Sequence, residues 1–366
     1  MLKRWQKELG KRIENGTFRT LNPKAEGIDF YSNDYLGFAR SKDLRELILM
    51  EISQHPECLS GSTGSRLISG NTAYLTETEK YIARQHGFSS ALLFSSGYQA
   101  NLALYSSLPG RHDIIIADEQ IHRSVHDGSR LSFAKKIRFR HNDTGHLEQI
   151  LEQKPGNCLI AVESLYSMEG DLAPLEQIAA LAENYGAGLI VDEAHAFGVF
   201  GHGLVGQYGL QDKVAAVVIT YGKALGMHGA AVLSTDLIRN YLINFASPLI
   251  YTTSSPDVQW VSIKAAYNFF SENRHIQQAL KDNIRVFRQQ GLVTPSAADS
   301  PVQAVIIPDI ERLKSLQKHL ADLGFLTYAV YSPSVKEGTE RLRICLHSFN
   351  TEAEIIRLCE IIRESA

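Results

Sequence analysis

The feature that most constrains the fold of this chain is a regular alternation of short apolar runs with amphipathic segments between residues 71 and 235. Most of the runs are apolar throughout, as is typical of strands covered on both faces. The intervening segments are predicted to be helices, for example 71–87 and 173–186, each ending at a glycine. The pattern predicts an α/β fold with a mainly parallel sheet wrapped by helices. The candidate strands are SALLFSS (90–96), DIIIAD (113–118), CLIAVES (158–164), GLIVDEAH (188–195), AAVVIT (215–220) and AAVLST (230–235).

The pattern changes after residue 247, where one long helical stretch (256–290) precedes a few strands and two further helices. Thr351 and Glu354 form a capping-box signature at the start of the last helix. We therefore expect a smaller α+β domain at the C-terminus. The predicted organisation is an N-terminal arm (1–40), a large ligand-binding domain (41–247) and a C-terminal region with a linking helix (248–366).

Composition excludes several classes of function. The formal net charge of -3 gives no reason to expect a nucleic-acid partner. The charged N-terminus lacks the apolar core of a signal peptide, and no apolar run is long enough to span a bilayer. Four scattered cysteines without a CxxC pair are typical of a reducing compartment. We expect a cytoplasmic protein without a membrane partner.

Acidic and basic residues follow two neighbouring candidate strands. LIVDEAH (189–195) resembles the acidic strand end of helicase-type NTPases, but Ala224 follows Lys223 where a phosphate loop GxxxxGK[ST] needs Ser or Thr. Asp192 and Lys223 instead suit pyridoxal phosphate (PLP), whose aldehyde bonds to a lysine and whose ring nitrogen pairs with a carboxylate. A strand-end aspartate also caps a turn more often than it catalyses, so this pair alone leaves both interpretations open.

Three further segments bear on the site. SSGYQAN (95–101) is either an ordinary turn or a phosphate-binding helix start at Gly97. His122 and His126 are spaced i, i+4, but without a third ligand of suitable spacing we predict no metal site. An imidazole from this loop can instead stack on a pyridine ring. Glu163 and Ser167, in VESLYSMEGDLAP (162–174), are expected to line a site at the strand ends.

Taken together, the chain resembles the α-oxoamine synthases, fold-type-I PLP-dependent transferases that condense an amino acid with an acyl-CoA and release carbon dioxide. The resemblance follows the order of nine segments along almost the whole chain. These are FYSNDYLGFA (30–39), GSTGSRLISG (61–70), SSGYQAN, DEQIH, VESLYSMEGD, VDEAHAFGVFG, TYGKALG, PLIYTTSSP and GTERLRICL (338–346).

The resemblance implies roles around a bound PLP. Lys223 would bond to the cofactor and act as general base, and Asp192 would pair with the ring nitrogen. His195 would bond the phenolic oxygen, while His122 would stack on the ring and take part in catalysis, by positioning the substrate carboxylate or supplying a proton. The other implied cofactor contacts are Gly97, Tyr98, Ser167 and Thr220.

The resemblance also implies how substrates and a second subunit contribute. Arg343 would clamp the amino-acid carboxylate, with Asn33 and Arg19 on the substrate side. Thr252 or Thr253 would reach the cofactor phosphate of the neighbouring subunit in a homodimer. The expected partners are thus an amino acid, an acyl thioester and a second copy of the chain.

Three local motifs narrow the choice among the substrates used by different branches of the family. GSTGSRLISG, GKALGMHGAAVL (222–233) and SNDYLGFA (32–39) favour the branch of the family that uses L-alanine and a pimeloyl thioester. Branches using glycine or serine, an aminotransferase, and a cofactor-free binding protein remain as alternatives. Two residues depart from the family pattern: Cys345 stands where a threonine is usual, and His228 where a small residue is usual.

Overall fold

A computed structural model describes residues 1–14, 17–21, 23, 25–153 and 156–365. The strands are β1 (Ile28–Asp29), β2 (Ser90–Phe94), β3 (Ile114–Asp118), β4 (Lys135–Phe139), β5 (Cys158–Glu163), β6 (Gly188–Asp192), β7 (Ala216–Thr220), β8 (Ala230–Ser234), β9 (Val302–Ile306), β10 (Phe325–Leu326), β11 (Tyr328–Val330) and β12 (Arg341–Cys345). The helices are α1 (Leu2–Glu14), α2 (Lys42–Gln54), α3 (Ala73–His86), α4 (Gly97–Ser107), α5 (Arg123–Leu131), α6 (Thr144–Gln153), α7 (Leu175–Asn184), α8 (Leu204–Gln207), α9 (Asp236–Phe245), α10 (Ser247–Ile250), α11 (Asp257–Glu272), α12 (Arg274–Gln289), α13 (Ile310–Asp322) and α14 (Glu352–Glu364).

The main sheet has the strand order β2-β8-β7-β6-β5-β3-β4. All of its strands run parallel except β8, which is antiparallel to both neighbours. The mainly parallel sheet is therefore confirmed, and each of the six predicted strands is present. Because β7 and β8 are antiparallel, a short loop joins them without a crossover helix. That loop carries Lys223, while β5 and β6 end side by side at Glu163 and Asp192.

The edge strand β4 is absent from the sequence prediction. Its sequence, KKIRF, is mostly charged, and three of its five residues are exposed. Charged side chains on an edge strand discourage pairing with other chains, and they also remove the apolar run by which a buried strand is recognised. The sheet therefore extends one strand beyond the predicted set.

Helix ends follow the sequence signals in most places. Thr72 caps α3 by accepting a hydrogen bond from Leu75 N, and Gly87 ends it with φ 71°. The capping box at Thr351 and Glu354 is present. The long helical stretch expected over 256–290 is present as two helices, α11 and α12. They are separated at Asn273, whose side-chain amide donates to the carbonyl of Phe269 at 2.9 Å.

The C-terminal strands form a separate antiparallel sheet in the order β11-β12-β9. The segment after β1 packs against this sheet, since Phe30 accepts a hydrogen bond from the backbone N–H of Cys345 at 2.8 Å, and Tyr35 is fully buried. This contact brings Asn33 next to Arg343 on β12. In the described ranges, no helix is both long and apolar enough to cross a membrane. The domain boundaries at residues 40 and 247 stay a prediction.

Candidate active site

A cavity of about 600 Å³ opens where the parallel strands of the main sheet end and β12 approaches. Parallel strands present their carboxyl ends at one edge, which is where open α/β sheets bind ligands. The cavity brings together ten of the predicted site residues: Asn33, Gly97, Tyr98, His122, Ser167, Asp192, His195, Thr220, Lys223 and Arg343.

Asp192, at the end of β6, is 6% exposed and held by two N–H donors. Asn101 Nδ2 donates to Oδ2 at 2.8 Å and the backbone N–H of Ala194 donates to Oδ1 at 2.9 Å. Asn101 Nδ2 also donates to Ser124 Oγ at 2.9 Å, and Ser124 Oγ lies 2.8 Å from Nδ1 of His122. A continuous polar network thus links the Asp192 carboxylate to the His122 imidazole.

Lys223 lies on the loop between β7 and β8, with Nζ donating to Thr220 Oγ1 at 3.4 Å. Burial lowers the pKa of Lys223, while the charge of Asp192 opposes that shift. A lysine with a lowered pKa gives up its proton more readily. Lys223 is therefore suited to act as a nucleophile or a base.

The start of α4 forms one wall of the cavity. Ser96 caps the helix by accepting from Gln99 N at 3.2 Å, and the earlier N–H groups, of Gly97 and Tyr98, have no intrahelical acceptor. A Cβ on residue 97 would lie 2.5 Å from Thr220 Cγ2, so glycine is required for this close approach. The helix start is suited to hold an anion against Thr220.

His195 is 7% exposed, and its Nδ1 lies 2.7 Å from the hydroxyl of Tyr35. That hydroxyl also donates to Asn33 Oδ1 at 3.1 Å. Burial, followed by the charges of Lys223 and Arg343, holds the pKa of His195 well below its ordinary value. His195 is therefore a neutral imidazole at physiological pH.

Arg343 is 5% exposed, and within the described residues it has no carboxylate partner. Its guanidinium donates to the carbonyl of Ser167 at 2.7 Å, to Asn33 Oδ1 at 2.9 Å and to Cys345 Sγ at 2.9 Å. All three acceptors are neutral groups. A buried guanidinium without a counter-charge favours binding of an anion, and its planar donors match a carboxylate.

Three predicted site residues lie outside this cavity. Arg19 is exposed. Thr252 and Thr253 line a separate recess of about 20 Å³, and Thr253 forms a β-bridge with Ser65. Their predicted contact with a neighbouring subunit stays a prediction.

Three polar residues that contact predicted site residues were not identified from the sequence: Tyr35, Asn101 and Ser124. Asn101 follows Gly97 by four positions, so it lies one helical turn along the same face of α4. His122 is the N-terminal cap of α5, and Ser124 follows it by two residues. At that spacing the hydroxyl of Ser124 lies within hydrogen-bond distance of the capping imidazole. These spacings identify Asn101 and Ser124 only if Gly97 and His122 are already known to belong to the site.

The residues of the cavity fit PLP. Unsatisfied helix N–H groups beside Thr220 suit a phosphate, the hydrogen-bonded carboxylate of Asp192 suits a ring nitrogen, and Lys223 suits an aldehyde. Arg343 remains for a second, carboxylate-bearing ligand.

Comparison with known proteins gives matches along most of the chain. The family model described as Aminotransferase class I and II matches residues 25–362. The 8-amino-7-oxononanoate synthase of Emericella nidulans is 40% identical over 367 residues, covering 92% of this chain and 89% of that protein.

Solved structures also match this chain over more than nine tenths of its length. The 8-amino-7-oxononanoate synthase of Francisella tularensis has a TM-score of 0.79 at 31% identity, covering 92% of this chain and 97% of that one. A serine palmitoyltransferase variant from S. paucimobilis, solved with bound PLP-myriocin aldimine, has a TM-score of 0.88 at 26% identity. That match covers 99% of this chain and 96% of the other.

Proposed function

This chain belongs to the class I and II aminotransferase family, and we propose that it catalyses the decarboxylative condensation of L-alanine with a pimeloyl thioester. The products would be 8-amino-7-oxononanoate, the released thiol carrier and carbon dioxide. The fold is that of the fold-type-I PLP-dependent transferases, and the protein is a PLP-dependent enzyme.

The observation that carries the proposal is the buried, carboxylate-free guanidinium of Arg343 in the same cavity as Lys223 and Asp192. An amino acid offers both a carboxylate for Arg343 and an amine that reacts with an aldehyde. The 40% identical relative from Emericella nidulans is an 8-amino-7-oxononanoate synthase, and this supports the proposed product.

The cofactor would be held by Lys223, by Asp192 at the ring nitrogen, and by the α4 start with Thr220 at the phosphate. His195 would hydrogen-bond the phenolic oxygen, and His122 would stack on the ring. When bound, PLP supplies an electron sink that stabilises negative charge at the α-carbon of an amino acid. Tyr98 and Ser167 complete the proposed set of cofactor contacts.

Different residues of the chain would orient the amino acid and transfer its protons. Arg343 would fix the amino-acid carboxylate, with its own donors held in place by Asn33 and the Ser167 carbonyl. Lys223 would remove the α-proton, because a lysine whose pKa is lowered by burial gives up its own proton more readily. Asp192, held in place by its two N–H donors, would pair with the ring nitrogen of the cofactor.

His122 would be the second proton-transfer group. Burial lowers its pKa, with the charges of Asp192 and Lys223 acting in opposite directions. A neutral imidazole with Nδ1 engaged by Ser124 leaves its Nε2 for the cavity.

We also propose that the enzyme works as a homodimer, with Thr252 or Thr253 completing the partner's phosphate site. Arg19 would join the substrate side when the thioester is bound. A cytoplasmic location stays our expectation for such an enzyme.

Titration of the holoenzyme with L-alanine, glycine and L-serine tests the amino donor. We expect L-alanine to change the visible absorption of the cofactor at the lowest concentration, and to support release of thiol from pimeloyl-CoA. The structural match to serine palmitoyltransferase makes serine the second candidate donor. A lower half-saturation for serine, with thiol release from a long-chain acyl-CoA, would replace the alanine proposal. Keto-acid production without thiol release would indicate an aminotransferase.

A further inference from the structure

Glu163 is a cavity residue to which the proposed mechanism gives no task. It ends β5, lines the cavity and is 3% exposed. Its Oε1 atom is buried and has no hydrogen-bond partner among the described residues. A buried polar atom without a partner costs free energy, so a site that retains one is expected to use it for a ligand.

Glu163 and Asp192 stand side by side at the same edge of the sheet, since their Cα positions are paired in the β5–β6 register. Their surroundings differ. Asp192 accepts hydrogen bonds from Asn101 and Ala194, which favour its charged form, whereas Oε1 of Glu163 accepts none. Two neighbouring buried carboxyl groups do not both ionise readily, so the proton of the pair belongs on Glu163.

The charges around Glu163 agree with this assignment. Burial, and next the charge of Asp192, raise the pKa of Glu163 well above its ordinary value, while the charge of Lys223 and a hydrogen bond from the backbone of His122 act in the opposite direction and are outweighed. A protonated carboxyl group is a hydrogen-bond donor, which an ionised one is not. The titratable and charged groups that interact with it from the surrounding elements are Asp192, Lys223, Glu169, Tyr105 and Tyr166, and the imidazole of His122 lines the same cavity.

We propose that Glu163 is the neutral acid of this site and donates a hydrogen bond from its carboxyl group to an acceptor oxygen of the ligand in the cavity, leaving Asp192 as the charged member of the pair. The identity of that ligand rests on the proposed function; the division of charge between Glu163 and Asp192 does not. The acceptor is an oxygen of the cofactor or of the acyl or amino-acid substrate.

The division of charge is tested by thermal unfolding of the holoenzymes of wild type, Glu163→Gln and the surface control Glu272→Gln between pH 5 and 9. Glutamine keeps the shape and a donor but has no proton to hold. In the wild type the folded state binds a proton that the unfolded state releases above its ordinary pKa, so burying Glu163 costs more stability as pH rises. We therefore expect the Tm of Glu163→Gln minus that of wild type to increase with pH, and Glu272→Gln to follow wild type throughout. A difference that is flat or falls with pH would overturn the proposal.

The donor role is tested with Glu163→Gln and Glu163→Ala together. We expect Glu163→Gln to stay within about threefold of wild type in PLP dissociation constant, KM and kcat, and Glu163→Ala to lose on the order of tenfold in one of them, as for a lost hydrogen bond of ordinary strength. Weaker PLP binding in Glu163→Ala assigns the acceptor to the cofactor. A higher KM with unchanged PLP binding assigns it to a substrate. If Glu163→Gln fails as badly as Glu163→Ala, the group acts as a carboxylate and the proposal is wrong.

These outcomes are separable from those of the proposed function. Unfolding and PLP binding need no substrate, so they remain decisive for Glu163 if alanine and pimeloyl-CoA are not turned over. Conversely, a failed Glu163 assignment leaves the donor titration unaffected.

Discussion

Burial sets the properties of the titratable side chains in this cavity. Lys223 and His195 are both shifted toward their neutral forms, chiefly because a charge inside the protein loses its hydration. The Asp192 carboxylate in the same cavity accepts hydrogen bonds from two N–H groups, of Asn101 and Ala194. Among the residues that the structure describes, none of these three side chains forms a salt bridge, so a carboxylate, a lysine and a neutral imidazole are available for chemistry in one cavity.

Replacement of Lys223 by alanine tests the residue on which the proposed chemistry depends most. We expect the visible absorption of covalently bound PLP to disappear and turnover to fall on the order of 10²–10⁴-fold, because both the covalent link and the base are removed. Absorption spectra and thiol release check this. Lys213→Ala is the matched control, since Lys213 is exposed and pairs with Glu183 on the surface. Retention of the wild-type absorption band by Lys223→Ala would contradict the assignment.

At the scale of single residues, the sequence is informative where chemistry restricts the residue type. Lys223 and Asp192 were candidates because a lysine and an acid follow neighbouring strands, and the resemblance to the α-oxoamine synthases supplied their expected roles; the structure places both in one cavity. Asn101 and Tyr35 could not be predicted, because an amide in a helix and a tyrosine in an arm are unremarkable until the fold brings them together. Their contacts to Asp192 and His195 depend on tertiary packing alone.

At the scale of elements, His141 contacts both the end of β3 and the loop 164–173. Nδ1 of His141 lies 2.9 Å from Oδ1 of Asp118, and its Nε2 lies 2.8 Å from Oδ2 of Asp171. The same loop supplies the Ser167 carbonyl that holds Arg343. Burial alone would lower the pKa of His141, but the two carboxylates outweigh it and raise the pKa to about 10.

Replacement of His141 by glutamine should loosen this loop. A histidine whose folded pKa is raised stabilises the fold fully below its unfolded pKa of 6.5, and that contribution is lost as pH rises through about 10. We expect a loss of about 1.5–3 kcal/mol in unfolding free energy near pH 6, as for hydrogen bonds to charged groups, and a smaller loss near pH 10. The amino-acid KM should rise while the thioester KM stays constant.

Denaturant unfolding at both pH values and initial-rate kinetics measure these effects, with the exposed His275→Gln as the control. A loss of stability that is equal at pH 6 and pH 10 would show that His141 is not charged in the folded protein.

Elements were predictable where local signals agreed with the tertiary structure. The buried strands, the Gly87 helix stop and the last capping box follow from periodicity and caps. The edge strand β4 and the break at Asn273 did not follow, for different reasons. The first lacks an apolar run because it faces solvent. The second is a single residue, Asn273, that leaves the helical conformation while its backbone and side-chain N–H groups both bond the Phe269 carbonyl.

At the scale of the whole molecule, the recess lined by Thr252 and Thr253 lies beside exposed apolar side chains. Tyr251 is 83% exposed and Ile68 is 86% exposed, and the β-bridge between Ser65 and Thr253 joins their two segments. Exposed apolar groups around a polar recess are typical of a protein interface. This surface supports the proposal that the two threonines act on a second subunit.

Mixed dimers test that arrangement. Lys223→Ala removes the lysine of its own site, and the double variant Thr252→Ala, Thr253→Ala removes the threonines offered to the partner's site. If the threonines act across the interface, a mixed dimer contains one site with both an intact lysine and intact threonines. We therefore expect co-expression of the two variants, isolated with different tags, to restore thiol release that neither homodimer shows. If the threonines serve the site of their own subunit, both sites of the mixed dimer are defective and activity does not return, which would overturn the shared-site proposal.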